Sequence, residues 1–271
     1  MNLNALPDLS KAKGKLLRKL QGRKHRRQER LFVAEGVRLV EEAASFGAGI
    51  EWAVTSGTDD PRCTALVERL KNIAEVYQTG DKELSVLLDA ANPQSVAAVC
   101  RIPDHKLETI VLPVKAMIVL CDSLRDPGNL GAVVRTADAA GCSAVIVAGS
   151  CVDPWNPKAV RGSMGAVFRL PVIECYNPEL LAEYLEANNF NTYLADMDGE
   201  NLFTLQDIPE RCAVLIGGEA EGTGAFSASL NSTAVSIPMT QGAESLNAAV
   251  AAGIIIYHLS NTPGAERTND S

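Results

Sequence analysis

Apolar positions near the start of the chain recur at the three- and four-residue spacing of helices. Over residues 10–31, Leu16, Leu17, Leu20 and Leu31 stand among basic residues, which predicts an amphipathic helix with a cationic face in the first part of that stretch. Residues 32–47 (FVAEGVRLVEEAASFG) continue the helical spacing, with Gly47 placed to end it. Three short runs, IEWAVTS, AEVYQTG and SVAAVCRI, read as strands, and PRCTALVERLKN reads as a helix between the first two. Together they predict a small α/β domain over residues 1–102. The stretch 103–114, with mixed charge and two prolines in PDHKLETIVLP, reads as a linker.

The pattern then changes. MIVLCD shows no alternation, as expected of a strand buried on both faces of a parallel sheet. The loop SLRDPGN leads to a helix, LGAVVRTADAAG, ended by Gly141, and SAVIVAG supplies the next strand. This is a βαβ unit with about the shortest workable crossover. NTYLADM, AVLIGG and AVSIP are further strands, PELLAEYLEANN a helix, and ESLNAAVAAGIIIYHLS a final helix apolar on most sides and expected to be buried. A second α/β domain therefore spans residues 115–262, and 263–271 read as a disordered tail.

Composition changes this picture in one respect. With 271 residues, 46% hydrophobic and 21% charged, the chain is globular rather than disordered. Its net charge of −8 argues at first against nucleic acid. Yet residues 1–31 hold ten Lys and Arg against Asp8 and Glu29, a net +8, which leaves −16 for the rest. Lys19, Arg23, Lys24, Arg26 and Arg27 are the candidate phosphate contacts in this basic arm; the ordinary alternative is a solvated helix face. The seven cysteines form no CxxC pair and the three histidines are far apart, which excludes a zinc site and a disulfide framework as readings. No apolar run is long enough for a signal peptide or membrane span, so the expectation is a cytoplasmic protein without metal or membrane partner. A basic, acid-poor start also fits a transit peptide, but it carries one Ser and runs straight into a folded pattern.

Three motifs carry candidate chemistry. In Asp126-Pro127-Gly128-Asn129-Leu130-Gly131, Asn129 is suited to cap a helix whose N-terminus favours an anion. Arg135 follows about 9 Å further along the axis. Gly217-Gly218-Glu219-Ala220-Glu221-Gly222 follows the strand AVLI, and adjacent glycines there admit a ligand close to the backbone. Ile237-Pro238-Met239 ends another strand, with Ser245-Leu246-Asn247 at the head of the last helix. Each alone has an ordinary explanation in capping, solvated charge or packing. All three, however, lie at C-terminal ends of strands in one sheet, so their loops converge on one pocket. GxGxxG, Walker A and GxSxG signatures are absent.

In order and spacing these motifs resemble those of the SpoU (TrmH-type) RNA ribose methyltransferases: N-x-G-x-x-x-R-T-A from Asn129 to Ala137, Gly-x-Glu-x-x-Gly from Gly217 to Gly222, and I-P-M followed by S-L-N. The resemblance covers about residues 115–260. The segment RLFVAEGVRLVEEA also resembles the substrate-binding domain of rRNA-modifying members. What the resemblance implies is transfer of a methyl group from S-adenosyl-L-methionine to a ribose 2′-oxygen of RNA, with ribosomal RNA the leading substrate. It further implies a C-terminal SPOUT-type α/β domain with a trefoil knot, although unknotted connections are the strong default, and a homodimer. By the same resemblance Asn129, Arg135, Glu219, Ser245 and Asn247 are the catalytic set, and Gly218, Ile237, Met239 and Leu246 hold the cofactor. The alternatives are a tRNA substrate, a non-catalytic RNA-binding protein on the same fold, and methylation of a base.

Overall fold

The computed structural model describes residues 6–57, 60–89, 94–218, 225–240 and 245–261. In chain order the first elements are α1 (Lys11–Lys19), α2 (Arg23–Glu29), β1 (Leu31–Glu35), α3 (Val37–Ser45), β2 (Ile50–Thr55), α4 (Pro61–Leu70), β3 (Glu75–Gln78), α5 (Asp81–Leu88) and β4 (Val96–Arg101). Then come β5 (Ala116–Asp122), α6 (Pro127–Ala139), β6 (Ala144–Ala148), α7 (Pro157–Gly162), β7 (Val172–Glu174), α8 (Pro178–Ala187), β8 (Asn191–Asn201), β9 (Arg211–Ile216), α9 (Ala225–Ser229), β10 (Ser232–Ser236) and α10 (Ala248–Asn261). They form two units, Met1–Asp104 with Trp155–Arg169, and His105–Pro154 with Leu170–Ser271. The chain thus passes from one unit to the other three times.

The first unit has a four-stranded sheet in the order β1-β4-β2-β3, with β4 antiparallel to both neighbours and β3 parallel to β2. Leu17 of α1 and Leu20 at its C-terminal cap, with Leu84, Leu87 and Leu88 of α5, pack on Val33, Trp52, Val54, Ala97 and Val99. Burying side chains of this size stabilises the fold by about 1.5–3 kcal/mol each. This explains why a strongly basic segment is nonetheless ordered: its leucine stripe belongs to the core. Lys19, Arg23, Lys24 and Arg27 are exposed on α1 and α2. Arg26 is not. It is 2% exposed, and its guanidinium donates to the carbonyl oxygens of Leu20 and Gln21 at 2.8 and 2.7 Å. The end of α1 leaves carbonyls without helical donors, and Arg26 reaches back to fill them, so it is a structural residue rather than a phosphate contact.

Residues 31–35 also differ from expectation. They form a strand, with Phe32 opposite Cys100 and Glu35 opposite Ala97, and the helix starts only at Val37. Gly36, at φ 101°, makes the break in a conformation that disfavours other residues. Phe32, Val33 and Ala34 are all buried, so the run carries no alternation to distinguish it from a helix. Segment 155–169 covers this strand. The rings of Trp155 and Phe168 lie 4.9 and 6.1 Å from that of Phe32. Arg161 pairs at 2.7 Å with the nearly buried Glu35 carboxylate, and Arg169 pairs with Glu42.

The second unit is built on six strands, all parallel, in the order β10-β8-β9-β5-β6-β7. From β5 the chain steps outward through β6 and β7. It then crosses to β8, inserts β9 between β8 and β5, and adds β10 at the far edge. Ile118, Leu120, Ile146 and Leu215 of the sheet pack with Leu181 and Leu185 of α8 and with Leu107 from the stretch before β5. Helix α6 begins at Pro127, capped by Asp126, whose carboxylate accepts the Asn129 N–H at 2.9 Å. Asn129 is therefore inside the first turn and not its cap. Nor is α10 buried all round. Ala252, Ile255, Ile256 and Leu259 face the core, but Val250 is 50% and Tyr257 39% exposed.

Candidate active site

The insertion of β9 beside β5 creates the point in the sheet where the chain's direction of travel reverses, and crevices at such points receive ligands. At the end of β9, Gly218 comes so near the β5 loop that a Cβ there would lie 2.5 Å from the carbonyl oxygen of Ser123. Only glycine permits that approach. Ser123 itself has φ 60°, and its hydroxyl donates to the buried Asp122 carboxylate at 2.9 Å. The thiol of Cys151 donates to the Cys121 carbonyl and accepts the Leu124 N–H, both at 3.1 Å. Burial pushes the Cys151 thiol up to about 11, so it stays neutral and ties the loop without acting as a nucleophile.

Beside this junction lies a cavity of about 270 Å³. Ile216, Gly217 and Gly218 form one wall, and Val235, Ile237 and Met239 a second. Ser245, Leu246, Ala248, Ala251 and Ile255 close it from the last helix and the residues before it. The fourth wall is Ala195, Asp196 and Met197. These three sit where β8 and β10 lose register: Ala234 pairs with Leu194, but Val235 pairs with Glu200. The looped-out residues are turned into a ligand wall, a common use of bulges.

All four expected cofactor residues, Gly218, Ile237, Met239 and Leu246, line this one cavity, with Ser245 among them. Asn247 sits at the cap of α10. Its side-chain oxygen accepts the N–H groups of Ala249 and Val250 at 3.0 and 3.3 Å, and its amide nitrogen donates to the Asn129 side-chain oxygen at 3.0 Å. The first and third motifs, more than a hundred residues apart in sequence, meet at this bond. Neither Asn129 nor Arg135 lines the cavity itself. Arg135 is exposed on α6 and has no ion-pair partner among the described residues. Glu219 lies outside the described residues. Ala195, Asp196 and Met197 belong to none of the three motifs, although their place at the end of the NTYLADM run carries the same strand-end signal.

The walls suit the adenosyl part of S-adenosylmethionine. Ile216, Val235, Ile237 and Ile255 offer apolar surface to a purine, and the glycine pair exposes backbone groups to its edge. Asp196 and Ser245 are side chains able to bond ribose hydroxyls or an ammonium group. Among the described residues no cluster of His, Cys, Asp or Glu could hold a metal ion.

The sequence profile of the SpoU rRNA methylase family matches residues 116–257, the whole of this parallel-sheet region from β5 into α10. The chain belongs to that family. Residues 11–98 of this SpoU protein match the profile of the MRM3-like substrate binding domain. It is 35% identical to the 23S rRNA (guanosine(2553)-2'-O)-methyltransferase RlmP of Bacillus subtilis, over 89% of this chain and 93% of that one. It is 32% identical to the 23S rRNA (uridine(2479)-2'-O)-methyltransferase of Streptomyces viridochromogenes, over 83% and 81%. Among solved structures, the SpoU methyltransferase AviRb from Streptomyces viridochromogenes in complex with AdoMet superposes with a TM-score of 0.83 at 30% identity, covering 93% of this chain and 97% of that one. The AdoMet-bound rRNA methyltransferase from Sinorhizobium meliloti gives 0.82 at 29%, covering 94% and 96%.

Proposed function

We propose that this SpoU protein methylates a ribose 2′-hydroxyl of ribosomal RNA, using S-adenosylmethionine, and that it works as a homodimer. The observation that carries the reading is the Asn247–Asn129 bond, which joins the first and third motifs at the rim of a cavity lined by every expected cofactor residue. The cofactor supplies a methyl group already activated on a sulfonium. What remains for the protein is to hold the 2′-oxygen in line and to manage one proton.

Arg135 takes the first task. Its guanidinium, exposed on α6, is suited to bind a backbone phosphate and so place the adjacent ribose. Glu219 and Ser245 enter the site by family likeness. A ribosomal substrate is favoured because the relatives named above act on 23S rRNA, and because Lys19, Arg23, Lys24 and Arg27 expose charge on the unit that matches a substrate-binding domain. The homodimer is favoured by Val250 and Tyr257, two large side chains that stand exposed about two turns apart on the helix that borders the cavity.

The test is methyl transfer from labelled S-adenosylmethionine to ribosomal RNA transcripts, with 2′-O-methyl mapping of the product. Transfer to ribose by the unaltered protein is expected. Arg135→Ala should abolish it while cofactor affinity stays within about threefold of the original, a change under 1 kcal/mol. Normal turnover by that variant would remove Arg135 from the site, and transfer to tRNA alone would overturn the ribosomal assignment. Sedimentation should give twice the chain mass, reduced to a monomer by Tyr257→Asp.

A further inference from the structure

Residues 195–199 of β8 have no partner on β10, because Leu194 pairs with Ala234 and Glu200 with the very next residue, Val235. The loop they form is closed tightly. A Cβ on Gly199 would lie 2.5 Å from backbone atoms of Ala234 and Val235, and the Ser236 hydroxyl donates to the Gly199 carbonyl at 2.8 Å. A bulge anchored in this way aims the side chains it carries. Asp196 lines the cavity, whereas Asp198 on the same loop does not. Among the described residues that line the cavity, Asp196 alone has a side chain that can hold a charge. Its carboxylate accepts the Asp198 N–H at 3.0 Å, one of the about four bonds that a carboxylate can accept.

We propose that Asp196 is a specificity-determining residue, which distinguishes S-adenosylmethionine from its demethylated product by charge. The inference rests on the methyltransferase reading above. Methyl transfer turns the sulfonium into a neutral thioether, and the positive charge departs as the proton of the 2′-hydroxyl. The two molecules otherwise share nearly one shape, and an apolar pocket discriminates weakly between ligands that differ by one methyl group. A carboxylate on the wall does not treat them alike, since it attracts the cation and gains nothing from the uncharged sulfur. Any bond it makes to the ribose or to the ammonium group is common to both and cancels in the comparison. The cavity of about 270 Å³ is about 8 Å across if compact, no wider than the screening length of physiological salt. A cation held in it or at its mouth therefore feels Asp196. Because Asp196 is exposed, water weakens the attraction, and the discrimination is about three- to tenfold. The site thereby favours reloading over retention of the spent cofactor.

Calorimetric titration of the full chain reads this without turnover. The probes are S-adenosylmethionine, S-adenosylhomocysteine and an analogue with an ammonium in place of the sulfonium. Asp196→Asn keeps the size of the side chain and an acceptor for the Asp198 N–H, but removes the charge. The expected signature is an unchanged melting temperature, both cations bound about three- to tenfold more weakly, and S-adenosylhomocysteine bound as before. Asp198→Asn removes an equal charge from the same loop outside the cavity, and should shift the ratio of the two affinities by less than about twofold. In about 0.5 M salt the unaltered protein should approach the ratio of Asp196→Asn. Asp196→Ser, which also keeps an acceptor, repeats the test if the asparagine variant melts early. Equal weakening of all three probes would make Asp196 a ligand of the ribose or ammonium group, and unchanged affinities would remove it from the site. An equal effect of Asp198→Asn would assign the discrimination to the charge of the loop as a whole. Each of these results overturns the inference. If the unaltered protein bound none of the three probes, the failure would lie with the methyltransferase reading instead.

Discussion

Arg26 and Lys24 stand two positions apart in one short helix and carry the same charge, but one fills the end of α1 and the other faces solvent. Their substitutions should separate accordingly. Arg26→Ala leaves two carbonyls without their donor and should destabilise the fold by about 1–3 kcal/mol, read as a lower melting temperature. Lys24→Ala should leave melting unchanged and reduce the salt dependence of RNA binding, by about 0.7–0.9 in log–log slope for one lost phosphate contact. Charge and spacing alone do not tell the two apart, because the carbonyls that capture Arg26 appear only once α1 has ended. The cysteines are a second case. All seven are buried and free, and burial pushes Cys100, Cys142 and Cys212 up to about 12. Iodoacetamide at pH 8 should therefore label none in the native protein and all seven after unfolding. Because folding raises these thiol pKa values, their neutral form stabilises the protein fully below the ordinary thiol range. That contribution is lost as pH rises from about 9 toward 12, when only the unfolded chain releases its protons readily.

At the scale of elements, the strand ends were the most legible part of the chain. A run such as AVLIGG declares both a buried strand and a backbone that must come close to something, and Gly218 against Ser123 is that approach. Gly218→Ala puts a methyl group into a backbone carbonyl rather than into a flexible side chain. One of the two loops must move, and the cavity wall with it. We expect cofactor affinity to fall at least tenfold by calorimetry, about 1.4 kcal/mol. The first strand was the least legible. Phe32 to Glu35 are buried throughout, and a strand without alternation has no period of its own, so the helical spacing of the residues that follow was carried back across Gly36. The short α7 and β7 were missed because a helix of six residues and a strand of three show too little periodicity to read. The last helix, apolar on most sides, reads as buried, but composition does not say which apolar face meets the core. Asn129, read as a cap, proved to be the residue that Asp126 caps.

At the scale of the whole molecule, charge marks the start of the substrate-binding match but not the division between the two profiles, and connectivity is not legible at all. The +8 belongs to residues 1–31, whereas the acidity begins inside the 11–98 match. Segment 155–169, however, lies within the methyltransferase match and packs with the first unit. Nothing local marks it, since the partners of Trp155, Arg161 and Arg169 are Phe32, Glu35 and Glu42, more than a hundred residues upstream. A fragment ending at Asp104 should consequently bind a hydrophobic dye and melt below the same fragment with residues 155–169 tethered to it; equal melting would show that the segment contributes nothing.

The same segment bears on how such a protein can be recombined. A single crossover near residue 104 would transplant a foreign RNA-binding half onto a methyltransferase half that still carries the old partner for β1. The newcomer would meet a mismatched tryptophan and arginine where its own strand had been fitted to others. Exchanging substrate range between two relatives therefore takes three junctions, moving 155–169 together with the N-terminal half.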